Sequence, residues 1–125
     1  MNEQVLLFQV TDNEIIAKIR LVLSVQKIGV TVVERRDYNQ TIAALAGIQS
    51  KVQTLPYFGP PIEGMMMVLC VAPSHLDGVL TALRQAGIPP MPKAILTQTN
   101  ATWTVPTLFA ELMREQEEFR KMKQS

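Results

Sequence analysis

The sequence contains few of the residues on which catalytic and metal sites are usually built. One cysteine, Cys70, and one histidine, His75, occur in 125 residues. A single cysteine excludes an internal disulfide and any metal site with several cysteine ligands, and Cys70 lies in the most apolar stretch, where a thiol usually packs as a small core residue. His75 has no neighbouring nucleophile in the sequence and is interpreted as a surface or capping residue. An enzyme is therefore the least favoured interpretation, and we predict no catalytic residue, no metal ligand and no cofactor.

The sequence also lacks an excess of charge of one sign. Charged residues make up 18% of the chain and the net charge is +1. This balance provides no field that would attract nucleic acid or anionic lipid, so neither is expected as a partner. Phe8 is the one aromatic residue in the predicted central strands, whereas a sheet that binds RNA stacks bases on several aromatic side chains. No G-x-G-x-x-G or P-loop string is present.

Long hydrophobic runs are absent as well. Near the N-terminus, residues 5–8 are apolar before polarity returns, too short a stretch for a secretory signal or a membrane span, which predicts a cytoplasmic protein without membrane contact. Hydrophobic residues nevertheless make up 47% of the chain. With so few charges to cover the surface, part of this apolar area is expected to face another subunit. The composition therefore predicts a homodimer.

Two apolar runs indicate the centre of the fold. Residues 65–72 have no polar side chain on either alternation, which is typical of a strand covered on both faces. Residues 5–10 form the one other run of this kind, so the two are predicted to be the central pair of a sheet. An amphipathic helix and a shorter strand follow each of them, the shorter strands at residues 30–34 and 93–97. The chain thus contains two strand-helix-strand halves.

Two architectures fit this order of elements. The favoured one is an α+β fold, a ferredoxin-like split β-α-β sandwich, in which two helices cover one face of an antiparallel sheet and an added C-terminal helix or a second subunit covers the other. The alternative is a small doubly wound parallel α/β sheet, in which a short helix at residues 38–46 serves as a further crossover. In both, residues 1–125 form a single domain with a long internal loop at residues 48–64 and a C-terminal helix at residues 104–123.

Capping residues set the expected ends of the first two long helices. Thr11 and Asp12 compete as the N-cap of the first, and Ser74 is the expected N-cap of the second. Gly29 and Gly87 are expected to supply the left-handed position at which the two helices stop.

A polar cluster before the last helix is the candidate ligand site. It consists of Thr102 and of five residues that we predict to bind the ligand, Lys93, Thr97, Thr99, Asn100 and Trp103. A helix start offers free N–H groups and a partial positive charge, so a lysine with hydroxyls beside it is suited to bind a carboxylate or a phosphate. In the structural alternative, Trp103 packs against the first turn of the helix, Asn100 forms the turn and Lys93 blunts an edge strand.

One segment resembles a known family. The string Lys-Ala-Ile-Leu-Thr at residues 93–97, followed by Asn100, Trp103 and an acidic helix, resembles a family of small bacterial proteins known only as a domain of unknown function. The string Tyr-Asn-Gln at residues 38–40, with the apolar stretch after it, resembles the middle portion of the same family. The resemblance covers most of the chain from about residue 30. It implies one compact α/β domain and no known activity.

Three classes of function remain. An interaction or regulatory module that acts as a homo-oligomer is favoured, because both central strands are apolar on both faces. A sensor that binds a small anionic ligand at residues 93–103 is the second interpretation. An enzyme of unknown type is the third.

Overall fold

The computed structural model describes residues 3–124 and contains a four-stranded sheet with helices on both faces. In chain order, the strands and helices are β1 (Gln4–Phe8), α1 (Asn13–Ser24), β2 (Gly29–Val33), α2 (Ile42–Leu45), β3 (Met66–Cys70), α3 (Pro73–Gln85), β4 (Lys93–Ile95) and α4 (Val105–Gln124). Short 3-10 turns at Arg35–Asp37 and Asn100–Thr102 precede α2 and α4. These elements confirm a mixed α/β fold with a C-terminal helix.

The sheet has the strand order β2-β1-β3-β4. Strands β1 and β3 are antiparallel neighbours, with Leu6 opposite Val68, while β2 is parallel to β1 and β4 is parallel to β3. The two most apolar runs therefore form the central pair, as predicted. Every residue of β3 is buried, because both of its faces are covered by helices and both of its edges by strands.

The side chains of the central strands alternate between two cores. One core lies under α1 and α3 and includes Val5, Leu7, Met67 and Leu69. The other lies under α2, α4 and the end of the long loop, and it includes Leu6, Phe8, Met66 and Val68. The C-terminal helix thus covers the face of the sheet that α1 and α3 leave open.

The predicted ferredoxin-like arrangement is not confirmed, because the strands of this sheet follow a different order from that of a ferredoxin-like sheet. A split β-α-β unit would place β3 between β1 and β2, whereas β2 pairs directly with β1. After α1 the chain turns back within a few residues, and the N–H of Gly29 donates to the carbonyl of Glu3 at 3.1 Å. This short return places β2 directly beside β1.

The alternative of a wholly parallel sheet is wrong. The register pairs Phe8 with both Val33 and Met66, so β2 ends where β3 begins. The connection from β2 to β3 therefore stays at one end of the sheet, and β3 runs antiparallel to β1. The short α2, found at Ile42–Leu45 rather than at residues 38–46, is too short to serve as a crossover back to the opposite end.

The two long helices of the first core start differently. The carboxylate of Asp12 accepts the N–H of Glu14 at 2.8 Å, which confirms one of the two expected caps of α1. In α3 the expected cap at Ser74 is wrong, since the helix already begins at Pro73 and its N-cap residue has no capping side chain. Instead the carboxylate of Glu3, the residue before β1, accepts the N–H of Ala72 at 2.7 Å.

Both helices end in the same left-handed turn. In α1 the residue with positive φ is Lys27 (φ 61°), and in α3 it is Gly87 (φ 74°). In each case the N–H of the following isoleucine, Ile28 or Ile88, donates back to the carbonyl of a leucine in the last turn. The expected stop at Gly87 is confirmed, whereas that at Gly29 is wrong because Gly29 is the first residue of β2.

A lysine in this left-handed position leads to a stability prediction. Replacing Lys27 with glycine should give a protein that is more stable than the Lys27→Ala variant by about 1 kcal/mol, because both changes remove the charge but only glycine relieves the strain of a positive φ. Gly87→Ala should lose a similar amount. The free energies of unfolding in urea check this, and equal stabilities of Lys27→Gly and Lys27→Ala would contradict it.

The long loop between α2 and β3 has no regular secondary structure, but side chains of the preceding segment hold its backbone. The side-chain amide of Gln40 both donates to the carbonyl of Val52 (2.7 Å) and accepts its N–H (3.0 Å). Farther along, the N–H of Tyr57 donates to the carbonyl of Arg36 at 2.9 Å. Near its end, Ile62 is buried in the core under α4. The loop therefore lies against the body at several points.

Candidate functional site

The structure brings the predicted site residues together in one groove. The groove has a volume of about 410 Å³ and lies between the edge strand β4 and the helix α4. Its lining includes all five predicted residues, Lys93, Thr97, Thr99, Asn100 and Trp103. They converge because a single short connection leads from the end of β4 to the start of α4, with the turn Asn100–Thr102 in its middle.

Asn100 is committed to shaping this turn. Its side-chain oxygen accepts the N–H of Thr97 at 2.9 Å, and its side-chain nitrogen donates to the carbonyl of Ile95 at 2.9 Å. The N–H of Asn100 in turn donates to the hydroxyl of Thr97 at 3.1 Å. Asn100 is buried. Its amide therefore holds the backbone that follows β4, which supports the structural interpretation of this residue.

Trp103 connects the groove to the core. Its side chain is partly buried against the core under α4. Its carbonyl accepts the N–H of Ile42 at 2.9 Å, and its neighbour Thr104 forms an isolated bridge with Thr41. The carbonyl of Thr104 then accepts the N–H of Leu108, in the first turn of α4. Trp103 thus fixes the start of α4 against α2.

Two acidic residues of α4, Glu111 and Glu115, complete the groove and were missed by the sequence interpretation. Helical periodicity could have found them, because they follow Leu108 and Leu112 on the same side of α4. Arg114 donates to Glu111 and holds the pKa of that carboxyl below its usual range, so Glu111 is ionised at neutral pH. Two carboxylates and one lysine line the groove, which makes it a poor match for a small anion.

Lys93 lies at the edge of the groove and has an unusual environment. Its ammonium group donates to the carbonyl of Met91 at 3.3 Å. Loss of hydration lowers the pKa of Lys93 below its ordinary value. Ala94 and Leu96 pack in the core under α4, so strand alternation directs the side chain of Lys93 toward the α3 face.

His75 and Cys70, the two other residues whose side chains could take part in a reaction, have structural roles. His75 Nδ1 lies 2.8 Å from Oε1 of Glu3, beside the start of α3. The N–H of Ala72, and then His75, hold the pKa of the Glu3 carboxyl below its usual range. Burial raises the pKa of the Cys70 thiol to about 11, so this cysteine stays protonated at neutral pH.

Within residues 3–124, no group of three or more histidine, cysteine, aspartate and glutamate side chains is arranged to hold a metal ion. Over the same residues, no helix is both long enough and apolar enough to cross a membrane.

Comparison with known families gives one match. Residues 65–119 match the model of DUF3783, a domain of unknown function. The match begins just before β3 and includes α3, β4, the groove and most of α4. The resemblance to a family without a known activity is therefore confirmed for this part of the chain. No curated protein and no solved structure matches the chain significantly.

Proposed function

We propose that the protein is an interaction module that works as a homodimer, and that the second half of α4 is its contact surface. The observation that carries this proposal is the exposure of the helix end. Every residue from 114 to 123 is exposed, although the first half of α4 is anchored in the core by Val105, Leu108 and Phe109. The exposed part includes Phe119, a residue that is 59% exposed.

The exposed half of α4 buries little surface against the rest of the chain. Isolated helices shorter than about 12–15 residues rarely persist, and most helical stability in proteins comes from packing of an apolar face. Ion pairs of Arg114 with Glu111 and Glu118, and of Arg120 with Glu117, support the exposed segment along its own surface. Packing of Phe119 against a second copy would add an apolar contact to this support.

Phe119 and Met122 continue, in the exposed half of α4, the stripe whose first residues Leu108 and Leu112 pack against the chain's own core. Leu108, Leu112, Phe119 and Met122 are separated by four, seven and three residues, with Glu115 at the intervening heptad position. This repeat places them on one side of the helix. A single polar residue within such a stripe favours one register and orientation at some cost in stability.

The charges of α4 favour an antiparallel pair. Residues 111–118 include four glutamates and one arginine, a net charge of −3, whereas residues 119–124 include three basic residues, a net charge of +3. Antiparallel pairing about the middle of this region places each acidic segment beside the basic segment of the second copy. Parallel pairing would place like charges together. Charge complementarity of this kind sets orientation more than affinity.

Light scattering after size exclusion tests the proposal. At micromolar concentration the wild-type protein should have twice the mass of one chain. Phe119→Glu should raise the dissociation constant at least about tenfold, because it places a charge in the apolar contact. Phe58→Glu is the matched control, since Phe58 is another exposed phenylalanine, in the long loop, and it should leave the mass unchanged. A monomeric wild type, or equal effects of the two variants, would overturn the proposal.

A charge reversal tests the orientation. The double variant Lys121→Glu, Lys123→Glu makes both segments of α4 acidic, so it should weaken an antiparallel dimer and should not weaken a parallel one. Raising the salt concentration should also weaken the wild-type dimer, because salt screens the attraction between exposed charges. Circular dichroism of each variant confirms that the fold is retained.

A further inference from the structure

A second cleft lies on the other side of strand β4, against α3. It has a volume of about 290 Å³. Its lining residues are Leu80, Leu83, Arg84, Ile88, Pro90 and Lys93. Four of these six are apolar and two are basic, and none is acidic. The cleft therefore differs in charge from the groove along α4, which Glu111 and Glu115 line.

We propose that this cleft binds a small carboxylic acid with an apolar body, the carboxylate between Arg84 and Lys93 and the body on the leucine and isoleucine side chains. This inference does not rest on the dimer, because the cleft is formed by α3 and β4 and not by the exposed half of α4.

The two basic groups are available for an anion. Among residues 3–124, neither Arg84 nor Lys93 forms an ion pair, and the one hydrogen bond of the Lys93 ammonium goes to the carbonyl of Met91. A cation that has lost part of its hydration without gaining a counter-charge is energetically unfavourable. The lowered pKa of Lys93 reflects this loss of hydration. A bound carboxylate would supply a counter-charge and charge-assisted hydrogen bonds in place of the lost hydration.

The apolar walls and the volume restrict the ligand further. Leu83 is buried, and Leu80 and Ile88 are partly buried in the core under α1 and α3. The apolar side of the cleft is therefore formed by side chains that are packed in the core. The volume of the cleft lies just below the range of about 300–1,000 Å³ that is usual for small-molecule sites. A short aliphatic chain or a single ring fits this size better than a nucleotide or a long-chain lipid.

Sodium octanoate is the probe, and titration calorimetry on the full chain is the measurement. Octanoate should bind, whereas acetate, which lacks the apolar body, and octylamine, which carries the opposite charge, should not. The variants Arg84→Gln and Lys93→Gln should each weaken octanoate binding by about tenfold, as the loss of one charge-assisted hydrogen bond does. Lys18→Gln, which removes an exposed lysine of α1, is the matched control and should bind as the wild type does.

Three results would overturn the proposal: no binding of octanoate up to about 10 mM, equal binding of octanoate and octylamine, or equal losses in the control and the cleft variants. Phe119→Glu should bind octanoate as the wild type does, because it leaves α3 and β4 intact. This last measurement separates a failure of the cleft from a failure of the proposed dimer.

Discussion

Replacing Tyr38 with alanine should lower the free energy of unfolding by about 3–5 kcal/mol, the loss that follows truncation of a large buried aromatic side chain. Tyr38 is 1% exposed and is among the largest fully buried side chains. Its ring lies 6.0 Å from that of Phe8 in the sheet and 5.7 Å from that of Tyr57 in the long loop. The alanine variant would leave a cavity where the sheet, the loop and the start of α4 meet.

The hydroxyl of Tyr38 provides the control. It donates to the side-chain oxygen of Gln9 at 3.2 Å, so Tyr38→Phe should lose only about 1 kcal/mol, the usual net value of one hydrogen bond. Urea unfolding monitored by circular dichroism measures both variants. If the alanine variant were no less stable than the phenylalanine variant, the ring would not be the centre of this core.

The central strands could be predicted because their signal is local. A strand covered on both faces must be apolar at every position, and residues 65–72 satisfy this condition without reference to the rest of the chain. The order of the strands could not be predicted in the same way. Whether β2 pairs with β1 or lies beyond β3 depends on how the chain returns after α1, and both arrangements bury the same side chains.

The ends of the helices show which local signals are reliable. Asp12 caps the helix that follows it directly, so its role can be predicted from neighbouring residues alone. At the start of α3, the N–H of Ala72 is bound by the carboxylate of Glu3, 69 residues away in the sequence. Capping rules consider only neighbouring residues, so they could not predict this partner. Lys27 was missed for another reason, since a glycine two residues later has the stronger preference for a positive φ.

The candidate site was predictable where it is continuous in sequence. Lys93, Asn100 and Trp103 lie in one short segment, and a turn before a helix brings such residues together. Arg84 lies in α3, outside this segment. The packing of α3 on the sheet places Arg84 in the same cleft as Lys93. The cleft that the two residues share thus appears only in three dimensions, as does the position of Lys93 between this cleft and the acidic groove.

Replacing Asn100 with alanine should lower the free energy of unfolding by about 2 kcal/mol, because two hydrogen bonds of a buried amide are lost and the N–H of Thr97 loses its acceptor. Thr99→Ala, at an exposed position of the same segment, should change stability by less than about 0.5 kcal/mol. Urea unfolding of the two variants gives the comparison. A stable Asn100→Ala protein would mean that the turn holds without its amide, and Asn100 would then be a candidate for ligand contact.

Asn100→Asp makes this test depend on pH. The aspartate retains an acceptor for the N–H of Thr97, but its charged form would oppose the carbonyl of Ile95, to which the amide nitrogen donates in the wild type. Burial and this carbonyl should raise the pKa of the new carboxyl above its unfolded value of about 3.9. Its contribution to stability is then fully present below that value and is lost as the pH rises through the folded pKa. Relative to the wild type, Asn100→Asp should be least destabilised in acid and most destabilised at neutral pH, and a difference that does not vary with pH would show that the side chain of residue 100 faces water.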